Sequence, residues 1–520
     1  MTNPSSIPVT QPASFKRVVA IRGSKGGVGA SMIATNLGIF LAQIGKRVLL
    51  VDADVNNGAL HTWLGMTAPE KSIGDVLVRD ASIPESAVAT PITGLYLLAT
   101  VTHLQGSDYL TRVQMEQLWH QLEQADADFV IIDLPNNIDD FTVSLFCRAD
   151  SAVLVSLPLP DSVEATYRFM MAAWLHQLTA AGVGRHETVE QFLREVKTAS
   201  GKPKTPREVI AQLAQIHPDA AEAAMKLSTE FHPQLIVNQI KLKDDEDLGD
   251  SIVSASTRWL GVVPILLGSI GWDDNVWLAQ RRGKRLLTDF ARSRACKDLE
   301  QIVRKMMSRE YQEQLLPTVI PPETIRQNYY ELLEIFPGAS EEEVRRAYKQ
   351  IQHWFGLEGM SVRGAASEEE RLQFERLAET AHARLLDRSE RREYDKQNFP
   401  DGFHRAAPPE LKQRDSIAGT VNVTQASLPT VTLSDDDFVD GIFLGKIRRA
   451  CNVELEDISN RAKISVRYLR AIEEERFNDL PASVFTRGFV TEFARFLKID
   501  PKRATTDFMS KFEKSTAAKR

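Results

Sequence analysis

The chain has 520 residues, 43% of them hydrophobic and 26% charged, with a net charge of −7. At about 150 residues per domain this leaves room for three or four domains with real cores, and it excludes wholesale disorder and a collagen-like chain. The acidic balance excludes a nucleic-acid coat, while three widely spaced cysteines (Cys147, Cys296, Cys451) exclude a disulfide framework or zinc cluster and fit a reducing cytoplasm.

In chain order, residues 1–16 are rich in Ser, Pro and Thr and are expected to be disordered, without the basic-then-apolar layout of a secretory signal. No uninterrupted apolar run approaches the ~20 residues of a membrane helix. Residues 17–315 alternate strand and helix. The runs Val18–Ile21, Val48–Val51, Phe129–Ile132, Ala152–Val155 and Leu235–Val237 are short and continuous, as strands buried on both faces of a parallel sheet are. The predicted class is α/β, a doubly wound, mostly parallel sheet, followed by two small all-α domains. A helical insertion is expected at about 182–232. Pro317, Pro321 and Pro322 mark a boundary, after which 325–400 is helical and highly charged. Residues 401–437 read as a linker, 438–512 as a compact helical unit and 513–520 as a basic tail; no internal repeat occurs. Residues 441–520 carry 17 Lys/Arg against 11 Asp/Glu, a local +6 that leaves −13 for the rest. That asymmetry points to an anionic partner at this end.

The strongest chemical signal is Gly23-Ser24-Lys25-Gly26-Gly27-Val28-Gly29-Ala30-Ser31-Met32, between a predicted strand and a predicted helix. Such glycines let successive backbone N–H groups turn toward phosphate oxygens, with a helix N-terminus behind them. Ser31 is placed to coordinate magnesium. A tight turn of glycines without a ligand is the alternative.

This stretch resembles the deviant Walker A loop of the MinD/ParA family. Val51-Asp52-Ala53-Asp54 with Gly58, Ile131-Ile132-Asp133-Leu134-Pro135 and Leu235-Ile236-Val237-Asn238-Gln239 resemble its later motifs, in order, over about residues 17–310. The likeness leans toward the MinD branch, including the type that controls flagellar number. It implies ATP and Mg2+ as cofactors, with Ser24 through Met32 and Asn238 on the nucleotide and Ser31 and Asp133 on the metal. It also implies that Asp54 orients the attacking water. Lys25 would reach across a nucleotide-dependent homodimer. The family pattern puts the P-loop lysine at position 30, where this chain has Ala30, and Met32 replaces a hydroxyl residue. Charge stabilisation dominates phosphoryl transfer, so the expectation is a slow or silent ATPase. An active ATPase would need compensation from Lys25 or Arg22.

Tyr330–Ile335, Ala339–Lys349 and the positions Ala383, Leu385–Asp387, Arg391 and Tyr394-Asp395 resemble a DnaJ-type J-domain. Ser340 and Glu343 have the spacing of a capping box. Gly356-Leu357-Glu358 stand where the Hsp70-activating His-Pro-Asp would be, so a docking hairpin is expected rather than a working cochaperone. From Leu455 to Leu497 the chain reads as helix-turn-helix, with core stripes at Leu455, Ile458, Ala462 and at Tyr468, Leu469, Ile472. It resembles the helix-turn-helix domain of RodZ-type cytoskeletal proteins, which implies a protein partner. DNA binding through Arg467 and Arg470 is the alternative, opposed by Glu473-Glu474-Glu475 on the same helix. Thr505–Arg520 has only Phe508, Met509 and Phe512 as apolar anchors, so it reads as a solvated helix end, not a membrane anchor.

The expected function is a cytoplasmic, ATP-binding switch or scaffold that organises polar, flagellar or division machinery through helical adaptors. It would be concentrated at a cell pole or the inner membrane through its partners. The alternatives are a transcription regulator binding DNA and an active ATPase.

Overall fold

The computed structural model describes residues 16–55, 58–100, 111–183, 186–198, 203–307, 328–357, 359–399 and most of 438–517. The expectations for residues 1–15, the proline boundary, the linker at 401–437, Ala462 and Glu358 lie outside the described residues.

Eight described strands form one sheet: β1 (Arg17–Gly23), β2 (Val48–Asp52), β3 (Val88–Ala89), β4 (Leu95–Leu98), β5 (Phe129–Leu134), β6 (Ser151–Ser156), β7 (Gln234–Ile240) and β8 (Ile265–Gly271). Their spatial order is β3-β4-β2-β5-β1-β6-β7-β8, parallel throughout except β3 against β4. The continuous apolar runs have a direct cause. Val18 and Ala20 of β1 pack into one layer and Val19 and Ile21 into the other, so both faces need apolar side chains. The sheet is the doubly wound α/β architecture anticipated from the runs. β3, β4 and β8 were not anticipated. β3 is two residues long, and β8 is interrupted by Gly268 and Ser269.

Helix Ala30–Gln43 covers one face. The stretch between β6 and β7 folds as helices Pro160–Ala180, Glu187–Thr198, Pro206–Ile216 and Pro218–Glu230 on the other. These are not a loose excursion. Val189, Phe192, Val209, Leu213 and Ala224 join the same core as β1, and Trp174 Nε1 donates to Ser228 Oγ at 2.9 Å.

Residues 329–398 form helices Tyr329–Leu332, Glu341–Phe355, Glu368–Leu386 and Arg388–Asn398. Ser340 and Glu343 make the anticipated capping box. The two ends of this segment are tied by Tyr330 Oη donating to Asp395 at 2.7 Å and by stacked Tyr329 and Tyr394 rings. The segment docks on the sheet domain. Ser256–Leu260 is a π-helical turn, whose extra residue turns Arg258 and Trp259 toward the hairpin. Trp259 meets Phe355 and Phe374 edge to face at 5.0 and 5.5 Å. The Arg258 guanidinium lies over Phe374 and donates to Glu334 at 3.0 Å. Trp354 Nε1 donates to Asp247 at 2.6 Å, and Tyr167 Oη to the Ser361 carbonyl at 2.6 Å.

The C-terminal unit packs helices Gly441–Ala450, Val466–Glu473, Ser483–Phe496 and Pro501–Ala517 around Leu455, Ile458, Leu469, Ile472 and Phe493. The last helix corrects the reading of a solvated end. Phe508, Met509 and Phe512 are buried in this bundle, because an amphipathic face that meets other helices is withdrawn from water. They are therefore not on hand as membrane anchors. Among the described residues, no helix is long and apolar enough to cross a membrane.

Trp259→Ala removes both aromatic contacts that hold the hairpin. It should lower stability by about 3 kcal/mol in urea denaturation, with Trp259→Phe recovering part of the loss.

Candidate functional site

β1 is the switch point of the sheet, since the chain proceeds from it toward β2 on one side and returns through β6 on the other. In open α/β sheets ligands sit at the carboxyl ends of strands at such a point. Here a cavity of about 510 Å3 is lined by residues 25–32, Asp54, Asp133, Asn238 and three tryptophans, Trp63, Trp272 and Trp277.

The loop's shape follows from its glycines. Gly27 and Gly29 have φ of +80° and +94°, which favours glycine. A Cβ on Gly29 would stand 2.4 Å from Asn238 Nδ2. Asn238 Nδ2 donates to the Val28 carbonyl at 2.7 Å, and its Oδ1 accepts from Gln239 N at 2.9 Å. The Asn238 side chain, expected on the nucleotide, therefore also closes the loop. Helix hydrogen bonding begins with Ile33 N to Gly29 O, so the N–H groups of Ala30, Ser31 and Met32 have no intrahelical acceptor. This is an anion cradle.

Asp52 ends β2 and Asp133 is the last residue but one of β5, in direct register across the parallel pair. Ser31 hydrogen-bonds the Asp133 carboxyl. Burial, aided by the negative charge of Asp52 and Asp54, pushes the Asp133 carboxyl well above the usual carboxylate range. Burial pushes Asp52 up to about 7. Asp52 Oδ2 accepts from Leu60 N at 3.2 Å, while its Oδ1 is buried without a partner among the described residues. Among the described residues, no group of three or more His, Cys, Asp or Glu could hold a metal by itself. That suits magnesium in a phosphate loop, which takes one or two protein ligands and completes its shell with phosphate and water. Ser31 beside Asp133 on the cavity wall fits that requirement.

Lys25 lines the cavity and pairs through Nζ with Asp161 at 2.5 Å, at the start of the helix after β6. Two side chains considered from the sequence turn away from the cavity. Ser24, expected on the nucleotide, is buried with its Oγ 2.6 Å from Ser162 Oγ and its N–H on the Val155 carbonyl. Ser24 directly follows β1, and its hydroxyl points into the helix–sheet interface. Arg22, considered as a substitute cation, also faces that interface. It lies over the Phe169 ring at 3.9 Å, donates to the Asn136 carbonyl and does not line the cavity. Sequence reasoning did not single out Asp161, Trp63, Trp272 or Trp277. The two later tryptophans follow the unanticipated β8, so nothing marked them as neighbours of the loop.

In the C-terminal unit Arg470 is exposed at the outer face of helix Val466–Glu473, while Arg467 lies on the same helix. The acidic triplet is not a bare negative patch. Glu473 pairs with Arg448 at 2.5 Å, Glu474 with Arg476 at 2.7 Å and Glu475 with Lys511 at 3.0 Å. The like-charge objection to a phosphate partner is weakened, because each carboxylate already faces a cation.

The raised Asp52 pKa makes stability depend on pH. The folded carboxyl holds its proton up to about 7 while the unfolded one releases it near its ordinary value of 3.8. Stability should therefore fall as pH rises from about 4 through 7 and then level off. Asp52→Asn should remove much of this fall, and be more stable than the parent at pH 8 by about 1–3 kcal/mol in urea denaturation.

Comparison with known proteins agrees with this geometry. Residues 16–170 match a family model described as an AAA domain, and residues 443–504 one described as a helix-turn-helix domain. The sporulation initiation inhibitor protein Soj of Bacillus subtilis is 33% identical over 146 residues, covering 26% of this chain and 57% of Soj. The chromosome partitioning protein ParA of Caulobacter vibrioides is 36% identical over 149 residues, 27% of this chain and 55% of ParA. The antiactivator FleN of Pseudomonas aeruginosa is 21% identical over 294 residues, 56% of this chain and 86% of FleN. The chain thus spans a little over half the length of Soj and ParA. Its N-terminal part is thus similar to proteins of the ParA and Soj kind, and residues 443–504 are similar to a helix-turn-helix domain.

Proposed function

We propose that this chain is a nucleotide-binding organiser of cellular position, acting on polar, flagellar or division machinery, whose hydrolysis is impaired by Ala30. The observation that carries this reading is the shared cavity of the glycine loop, Ser31, Asp54 and Asp133 at the sheet's switch point. Similarity to a chromosome partitioning protein and to the antiactivator FleN supports the positional role. When bound, Mg2+ would offset phosphate charge, with Ser31 and Asp133 the residues that hold it. Asp54 lines the cavity where a water would be oriented. Lys25, held by Asp161, is the residue that would reach a second copy. Ile138, Leu159 and Leu242 are exposed just beyond the carboxyl ends of β5, β6 and β7, on the edge that bears the cavity. They support self-association through this face. The docked hairpin at 329–398 and the C-terminal unit serve as adaptors, the latter toward a protein partner.

Restoring the lysine tests the reading. Ala30→Lys should tighten ATP binding by about 1–3 kcal/mol by calorimetry, the scale of one charge-assisted contact. It should also gain magnesium-dependent hydrolysis that Asp54→Ala removes. Unchanged binding and turnover with an intact fold would leave a scaffold without a nucleotide role.

DNA binding by the C-terminal unit is a second reading, favoured by the neutralised triplet Glu473–Glu475. If it holds, charge reversal at Arg467 and Arg470 should abolish duplex binding, and affinity should fall steeply with salt in anisotropy titrations. The protein-partner reading expects only weak duplex binding at about 0.15 M salt.

A further inference from the structure

Three of the chain's seven tryptophans line the cavity that carries the phosphate loop. Trp272 is 43% and Trp277 57% exposed, a large apolar area to leave in water. Both rings are held in place. Lys241 Nζ sits 3.6 Å from the Trp272 ring centroid, and Trp272 Nε1 donates to Asp274 at 3.0 Å. The Arg281 guanidinium lies 5.0 Å from the Trp277 ring.

The phosphate end has the opposite character. Among the described residues that line the cavity, Lys25 is the single cation, in company with the acidic residues Asp54, Asp133 and Asp273. Lys25 is itself paired with Asp161. Ala30 contributes no charge, and Arg22 is turned into the helix–sheet interface. With Mg2+ available to either nucleotide, a third phosphate would bring added negative charge to a wall whose one cation among the described lining residues, Lys25, is already paired.

Building on the nucleotide-binding reading above, we propose that the cavity holds an adenine nucleotide chiefly through its base, stacked on Trp277 and Trp272, and does not distinguish a di- from a triphosphate. Base–aromatic stacking is a substantial source of affinity that does not depend on phosphate count. Its place at the mouth fits two rings that project from the segment after β8 toward the same space as the loop.

The test is calorimetric titration of the full chain with ATP, ADP, AMP and inorganic tripolyphosphate in the presence of magnesium. ATP and ADP should bind within about threefold of one another, and tripolyphosphate should not displace ADP. The double variant Trp272→Ala, Trp277→Ala should weaken both nucleotides by about tenfold or more, with Trp277→Phe retaining most of the affinity. Both side chains are surface groups, and thermal unfolding of each variant checks that the fold is kept. ATP binding more than about tenfold tighter than ADP would overturn the base clamp while leaving nucleotide binding intact. Displacement by tripolyphosphate, or unchanged affinity in the double variant, would do the same. If none of the three nucleotides binds, both the clamp and the reading it rests on fall.

Discussion

β1 is hydrogen-bonded to β5 on one side and to β6 on the other, parallel to both, and the placement of the polar groups around the glycine loop follows from it. Parallel pairing puts all carboxyl ends on one edge. The loop after β1 then faces Asp133 at the end of β5, and Lys25 meets Asp161 just beyond β6. Asp52 joins them because β2 pairs with β5 in a register that sets it beside Asp133. A shift of β2 by one residue in that register would send Asp52 to the face opposite Asp133.

The resulting site is electrostatically lopsided. Two buried carboxyls stand side by side, and Ala30 brings no charge to the glycine loop. Desolvation raises the proton affinity of both acids, so at neutral pH the folded state sheds part of its negative charge by keeping protons. A divalent cation shared with phosphate would achieve the same end by displacing them. The aromatic wall after β8 gives a ligand another source of affinity, independent of this balance.

The loop is also connected to the hairpin through one continuous piece of chain. β7 places Asn238 against Val28, and a few residues further on Asp247 accepts from Trp354. The π-helical turn at Ser256–Leu260 then turns Trp259 between Phe355 and Phe374. A segment that is strongly charged in sequence is thereby anchored by a small aromatic cluster, and its middle loop lies against Tyr167 through Ser361.

The sequence by itself determined the α/β class, because strands buried on both faces must read as short unbroken apolar runs. It also determined the glycine loop, whose glycines are required by local backbone geometry, and the Ser340 cap, which needs only residues three apart. Ser31 and Asp133, which line one cavity, could be singled out for the same reason, as members of contiguous motifs. Tertiary structure alone decided which side each polar group faces. Ser24 and Arg22 sit within or beside the glycine loop yet turn into the helix–sheet interface, where Ser162 and Phe169, far away in sequence, receive them. It decided equally that Glu473, Glu474 and Glu475 are paired, that Phe508 and Phe512 are core, and that Trp272 and Trp277 share a cavity with Lys25. Each of those facts depends on contacts between segments distant along the chain, which composition and periodicity do not encode.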